Sequence, residues 1–242
     1  MPALPLTFGC HLPMFGPIAT RGNVLAFART MEALGYESLW ASDHVVLPYS
    51  IKSKYPYNSS GQFPLPPTSA FLEPLTTLAL VAGVTERARY RGEFFSFDEI
   101  GVVPQPPRKA IPIWVGGHTP RALRRVAELG DGWHAAFTPP DAFERDIARL
   151  RAECAKVNRQ IDDLAVTLRV GLAFRDTPGG ADRKPLQGTP DQIVADIRRY
   201  QDLGVGSFLL EARYRDLDDM VAIFERFARE IRPAVDTAPR RP

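Results

Sequence analysis

"MEALGYESLW" at 31–40, "AELGDGWHAA" at 127–136 and "QDLGVGSFLL" at 201–210 are one phrase written three times. Each gives the last turn of an amphipathic helix, a Leu-Gly pair, and then an apolar run that reads as a strand. Gly35, Gly130 and Gly204 stand where a helix C-cap takes the left-handed conformation that glycine adopts cheaply. The helices leading into two of them carry the 3.6-residue period, with Val24, Phe27, Met31 and Leu34 in one and Val194, Ile197, Tyr200 and Leu203 in another.

Outward from these phrases the chain alternates regularly. Strands are expected near 6–12, 37–42, 111–116, 132–136, 164–174 and 206–212, and helices near 22–34, 73–86, 119–129, 141–158, 190–203 and 216–231. Along 164–174 the residues Leu164, Val166, Leu168, Val170, Leu172 and Phe174 fall on every second position, the period of a strand. Thr119-Pro120 and Thr189-Pro190 mark helix starts, an N-cap followed by proline at the first helical position. Thr189 and Gln192 fit a capping box. Strand–helix alternation along a whole chain means a parallel sheet with covering helices. A barrel and a doubly wound sheet both satisfy it. The first strand is followed by no GxGxxG turn, which counts against a dinucleotide-binding domain.

The 242 residues suit one domain with a full core, and a hydrophobic fraction of 45% with 24% charged residues is ordinary for a soluble globular protein. A net charge of +2 argues against nucleic acid or a membrane surface as partner, because such footprints are strongly basic. Cys10 and Cys154 are too few and too far apart for a disulfide framework and read as buried thiols. "LTTLALVAGV" is too short to cross a bilayer, and "MPALPLTFG" has no basic-then-apolar signal pattern. A cytoplasmic location is expected. The proline-rich end, 234–242, is expected to be a disordered tail after a domain spanning 1–233.

Chemistry would sit at the C-terminal strand ends, where parallel barrels keep their active sites. His11, His44, His118 and His134 all fall at or near such ends. They admit a structural reading, a metal-dependent hydrolase, or an acid–base role. The metal reading lacks a His-x-His pair on the first strand and any HExxH. Asp43-His44 closes the strand "SLWASDH", and a histidine there suits proton transfer near neutral pH. The loop 45–72 that follows is long enough for a lid or binding loop. In "PIWVGGHTPRALRR" at 112–125, a strand ends at Gly116-Gly117 and a helix begins at Thr119 or Pro120. Amide N–H groups and the helix dipole make such a junction suited to phosphate. Trp40, Trp114 and Trp133 read as core or pocket wall.

"EALGYESLWASDHVVLP", "FLEPLTTLALVAGVTER", "RGEFFSFDEIGVVPQPPRKAIPIWVGGHTPRALRRVAELGDGW" and "GTPDQIVADIRRYQDLGVGSFLL" together resemble the bacterial luciferase-like monooxygenase family, nearest its F420-dependent oxidoreductase branch. The resemblance runs from 6 to about 232. It implies a TIM barrel binding coenzyme F420, or alternatively FMN, at its C-terminal face, with a small-molecule substrate. By that resemblance His44 lies beside the redox ring as proton donor or acceptor, with Asp43 its neighbour. Gly116 and Gly117, with His118 and Thr119 after them, form the cradle for the cofactor phosphate.

One departure stands out. In full-length relatives "TERAR" leads through two further β/α units before "YRGEFF", whereas here Arg89 joins Tyr90 directly. The resemblance therefore implies an internal deletion of roughly 60 residues, at about 30 per unit. The expected fold is an incomplete TIM-barrel-like (β/α) domain of about six units instead of eight. Such a sheet must re-pair, stay open or associate, so a homodimer is expected. The expected activity is F420- or flavin-dependent oxidoreduction. The alternatives are a non-catalytic cofactor-binding remnant and, third, the metal-dependent hydrolase.

Overall fold

In a computed structural model, residues 6–43, 54, 55, 61–63, 65, 66, 68–86, 89–92, 96, 97 and 112–236 are described. The chain opens with β1 (Thr7–His11), α1 (Arg21–Ala33), β2 (Ser38–Ala41) and α2 (Pro74–Ala82). A short pair, β3 (Arg89–Gly92) and β4 (Ser96–Phe97), precedes β5 (Trp114–Gly116), α3 (Pro120–Leu129), β6 (Gly132–Ala136) and α4 (Pro140–Lys156). Then come β7 (Ala165–Phe174), β8 (Gln187–Gly188), α5 (Pro190–Asp202), β9 (Ser207–Ala212) and α6 (Leu217–Arg226). A π-turn over Phe227–Ile231 carries the last helix into α7 (Arg232–Asp236).

The six expected β/α units all form. Their starts follow the local chemistry: the Thr119 hydroxyl accepts from the Ala122 N–H at 3.2 Å, and Thr189 with Gln192 closes a capping box. The caps after α1 and α5 use Gly35 (φ +81°) and Gly204 (φ +97°) as expected. Gly130 differs, with an extended backbone at φ −88°. Space explains that glycine: a Cβ there would come within 3.0 Å of the Val126 carbonyl oxygen.

Strand order is β4-β3-β2-β1-β9-β7-β6-β5, and β8 pairs with the end of β7. All pairs are parallel except β3 with β4. The last long strand lies beside the first, as in a barrel, and among the described residues no pairing joins β4 to β5. The result is a curled, open half-barrel.

Six strands were expected, with Arg89 and Tyr90 marking only a junction. The structure adds β3 across that junction, with Arg89 opposite Ser38 and Tyr90 opposite Leu39. The polar "RYRG" shows no apolar alternation, so nothing local announces a strand. What makes it one is the β2 edge, whose N–H and C=O groups need partners.

The sheet has two different faces. Phe8 and Cys10 of β1, Leu39 of β2, Trp133 of β6, Leu168 of β7 and Phe208 of β9 face the helices in a continuous core. There Phe8 meets Phe227 edge-on at 5.0 Å between centroids, and Trp133 packs on Phe143 at 5.0 Å. The intervening residues line the inside of the curl. Trp40 stacks on His134, Trp114 lies 5.9 Å from Trp40, and the Trp40 indole donates to the Ser38 hydroxyl at 2.9 Å.

A candidate active site at the mouth of the curled sheet

Because its six long strands run parallel, their C-terminal ends form one mouth. On β1, the His11 Nδ1 lies 2.9 Å from the Leu12 carbonyl oxygen and the Nε2 lies 2.7 Å from the Ser42 hydroxyl. A carbonyl can only accept, so Nδ1 carries the proton and, in the neutral ring, the Ser42 hydroxyl donates to Nε2. Asp43 follows, half-buried, at the same rim. His44 lies outside the described residues, as does most of the expected lid 45–72.

Across the mouth, β5 delivers Gly116 and Gly117 to the start of α3. Gly117 has φ +108°, and a Cβ there would lie 3.0 Å from that of Ala122. Its carbonyl accepts from the Trp133 indole at 2.9 Å, which ties the turn to the core. His118 is partly exposed, with Nδ1 3.4 Å from both the Thr138 hydroxyl and a buried Asp146 carboxylate oxygen. Thr119 spends its hydroxyl on the helix cap.

The structure thus keeps Gly116, Gly117, His118 and Thr119 together and places Asp43 just past the end of β2. His134, expected near a strand end, sits in the middle of β6 with Nδ1 2.8 Å from the Thr167 hydroxyl. His11, His118 and His134 therefore serve three separate neighbourhoods. Among the described residues, no three His, Cys, Asp or Glu side chains come close enough together to hold a metal ion.

Sequence reading missed three parts of this mouth. The His11–Ser42 pair joins residues 31 apart and needs the β1–β2 register. Arg169 of β7 and Glu211 of β9 form an ion pair on the inner face, again set by register. Phe137, directly after β6, has the rare φ of +51°. Next to them lies a cavity of about 30 Å³ touched by His11, Phe15, Glu211 and Tyr214. Burial raises the Tyr214 phenol, and the Glu211 charge adds to that.

Comparison with known proteins accords with this architecture. The curled α/β sheet is matched along nearly its whole length by solved barrel structures. A structure of an F420-dependent secondary alcohol dehydrogenase with an F420–acetone adduct superposes with a TM-score of 0.67 at 10% identity, covering 96% of this chain and 99% of the other. A riboflavin lyase holding modified FMN and riboflavin gives 0.66 at 10% identity, covering 95% and 91%. Residues 86–187 match the luciferase-like monooxygenase family, so the resemblance read from the sequence holds at the level of the family's own pattern. An uncharacterised protein of Mycobacterium tuberculosis (strain H37Rv) is 24% identical over 272 positions, using 80% of this chain and 91% of its own. That alignment is longer than this chain, so the relative carries positions that face no residue here. No helix among the described residues is long and apolar enough to cross a membrane.

Proposed function

We propose that the mouth binds reduced coenzyme F420, or FMN in its place, and that the protein is an oxidoreductase acting on a small organic molecule. The observation that carries this reading is the Gly116–Gly117 turn. A Cβ at 117 would lie 3.0 Å from that of Ala122, above the first turn of α3, where Pro120 has no N–H, the Ala122 N–H is taken by the Thr119 hydroxyl, and the Arg121 N–H has no intrahelical acceptor. Cofactors named for two structural neighbours, F420 and FMN, both carry a phosphate that such a turn suits.

In this reading Gly116 and Gly117 let the backbone approach the phosphate, with His118 and Thr119 completing the cradle. His44 holds or releases the proton that accompanies reaction, with Asp43 its neighbour in sequence. When bound, the cofactor supplies hydride or electron transfer; the protein supplies position and protons. Titration of the purified chain with F420 and with FMN, followed by fluorescence, tests the proposal. Saturable binding of one of them is expected, and binding of neither would end it.

A cofactor-binding remnant without turnover is the second reading, favoured by the lack, among the described residues, of any pairing between β4 and β5. Binding without turnover on any small carbonyl or alcohol would select it. Among the described residues β5 pairs only with β6, beside Ile113 at 60% exposure. Association into a homodimer is expected, and light scattering should show it weakened by Ile113→Lys.

A further inference from the structure

Arg169 and Glu211 stand on neighbouring strands of the inner face. The Arg169 Nε donates to Glu211 Oε1 at 2.7 Å, and Nη2 donates to the same oxygen. The guanidinium carbon lies 5.4 Å from the centre of the Phe137 ring. Arg169 and Glu211 are both three-quarters buried, and Glu211 and the Phe137 ring together fix the guanidinium plane. Its Nη1 has no hydrogen-bond partner among the described residues, and neither has Glu211 Oε2.

Phe137 is held in place by strain. Its φ of +51° is unusual for a bulky side chain, and its N–H donates to the Arg169 carbonyl at 2.8 Å, so β7 dictates the conformation. The ring remains 38% exposed. A strained, partly exposed aromatic beside a guanidinium with a spare donor, at a barrel mouth, is more than the core needs.

We propose that Arg169, Glu211 and Phe137 form a substrate subsite for a flat, uncharged molecule whose carbonyl oxygen accepts from Arg169 Nη1 while its face lies on Phe137. Charge selects the class. Glu211 cancels most of the guanidinium's field, so a carboxylate gains little there, whereas a neutral carbonyl gains a donor otherwise unmade. The planar guanidinium and the ring favour a flat partner. This deepens the proposed function by naming a substrate class, and it rests on the mouth being the site.

The test uses the full chain without cofactor and three probes of one shape: benzamide, benzoate and benzylamine, titrated by calorimetry. Benzamide should bind at least 10-fold more tightly than either charged probe. Glu211→Gln should raise benzoate affinity at least 10-fold, because the guanidinium is then uncompensated. Arg169→Lys and Phe137→Ala, each checked for an unchanged circular dichroism spectrum, should each weaken benzamide at least 5-fold. Phe137→Ala leaves the backbone demand at 137 unchanged and removes no buried charge, so it remains usable if the Arg169 variant does not fold. Benzoate binding as well as benzamide to the wild type, no binding of any probe, or benzamide binding indifferent to Phe137→Ala would each overturn the proposal. Cofactor titration of the same preparation keeps the two ideas separate: probe binding without cofactor binding ends only the cofactor reading.

Discussion

Trp40 of β2 and His134 of β6 stack face to face, with centroids 4.9 Å apart and planes 19° apart. Three strands, β1, β9 and β7, separate them along the sheet. Only the curl brings them together, so this contact, with Trp114 beside it, holds the open sheet closed on its inner side.

Trp40→Ala should therefore lower stability by about 3 kcal/mol, the scale of removing a buried tryptophan. Urea unfolding measures it. A loss near 0.5 kcal/mol, typical of a surface change, would show that the rings do not hold the curl.

Gly117→Val should weaken FMN far more than riboflavin, because the added side chain meets Ala122 where the phosphate would approach. Paired titrations give the two ratios. Equal losses would point to general damage instead of a blocked cradle.

His44→Ala should reduce turnover about 100-fold, the usual scale of general acid–base assistance, while cofactor affinity changes little. Turnover and dissociation constant measured on one preparation decide it. Unchanged turnover would remove His44 from the proposed chemistry.

Alkaline pH should destabilise the fold through two buried phenols. The Tyr36 hydroxyl donates to the Phe224 carbonyl at 2.9 Å, and that of Tyr200 donates to the Thr138 carbonyl at 2.7 Å. Burial raises both well above their ordinary value. The folded state therefore keeps protons that the unfolded chain releases above about pH 10. Stability is complete below that pH and falls as pH rises beyond it, by at most about 1.4 kcal/mol per pH unit per tyrosine. Tyr36→Phe with Tyr200→Phe should flatten the slope while costing about 1 kcal/mol per lost hydrogen bond at neutral pH. Unfolding curves between pH 8 and 11 supply the comparison; an equal slope in the double variant would rule the phenols out.

The repeated helix–Leu-Gly–strand phrase was enough to determine six β/α units, because period, cap and turn are local properties. Thr119 and Thr189 start their helices where their side chains say they should, and Leu168 and Val170 face the helices as alternation demands. The Gly116–Thr119 turn was legible for the same reason: its residues are contiguous. Tertiary structure decided what depends on strands meeting. Arg89–Gly92 is a strand only because β2 offers an unpaired edge. Arg169 finds Glu211 42 residues away, and His11 finds Ser42, only through the register of neighbouring strands. No local pattern encodes such pairings, since each side chain would be equally content elsewhere on a polar inner face. The curl of the sheet, set by backbone twist and by the aromatic rings that stack across its inner face, turns those separate residues into one mouth.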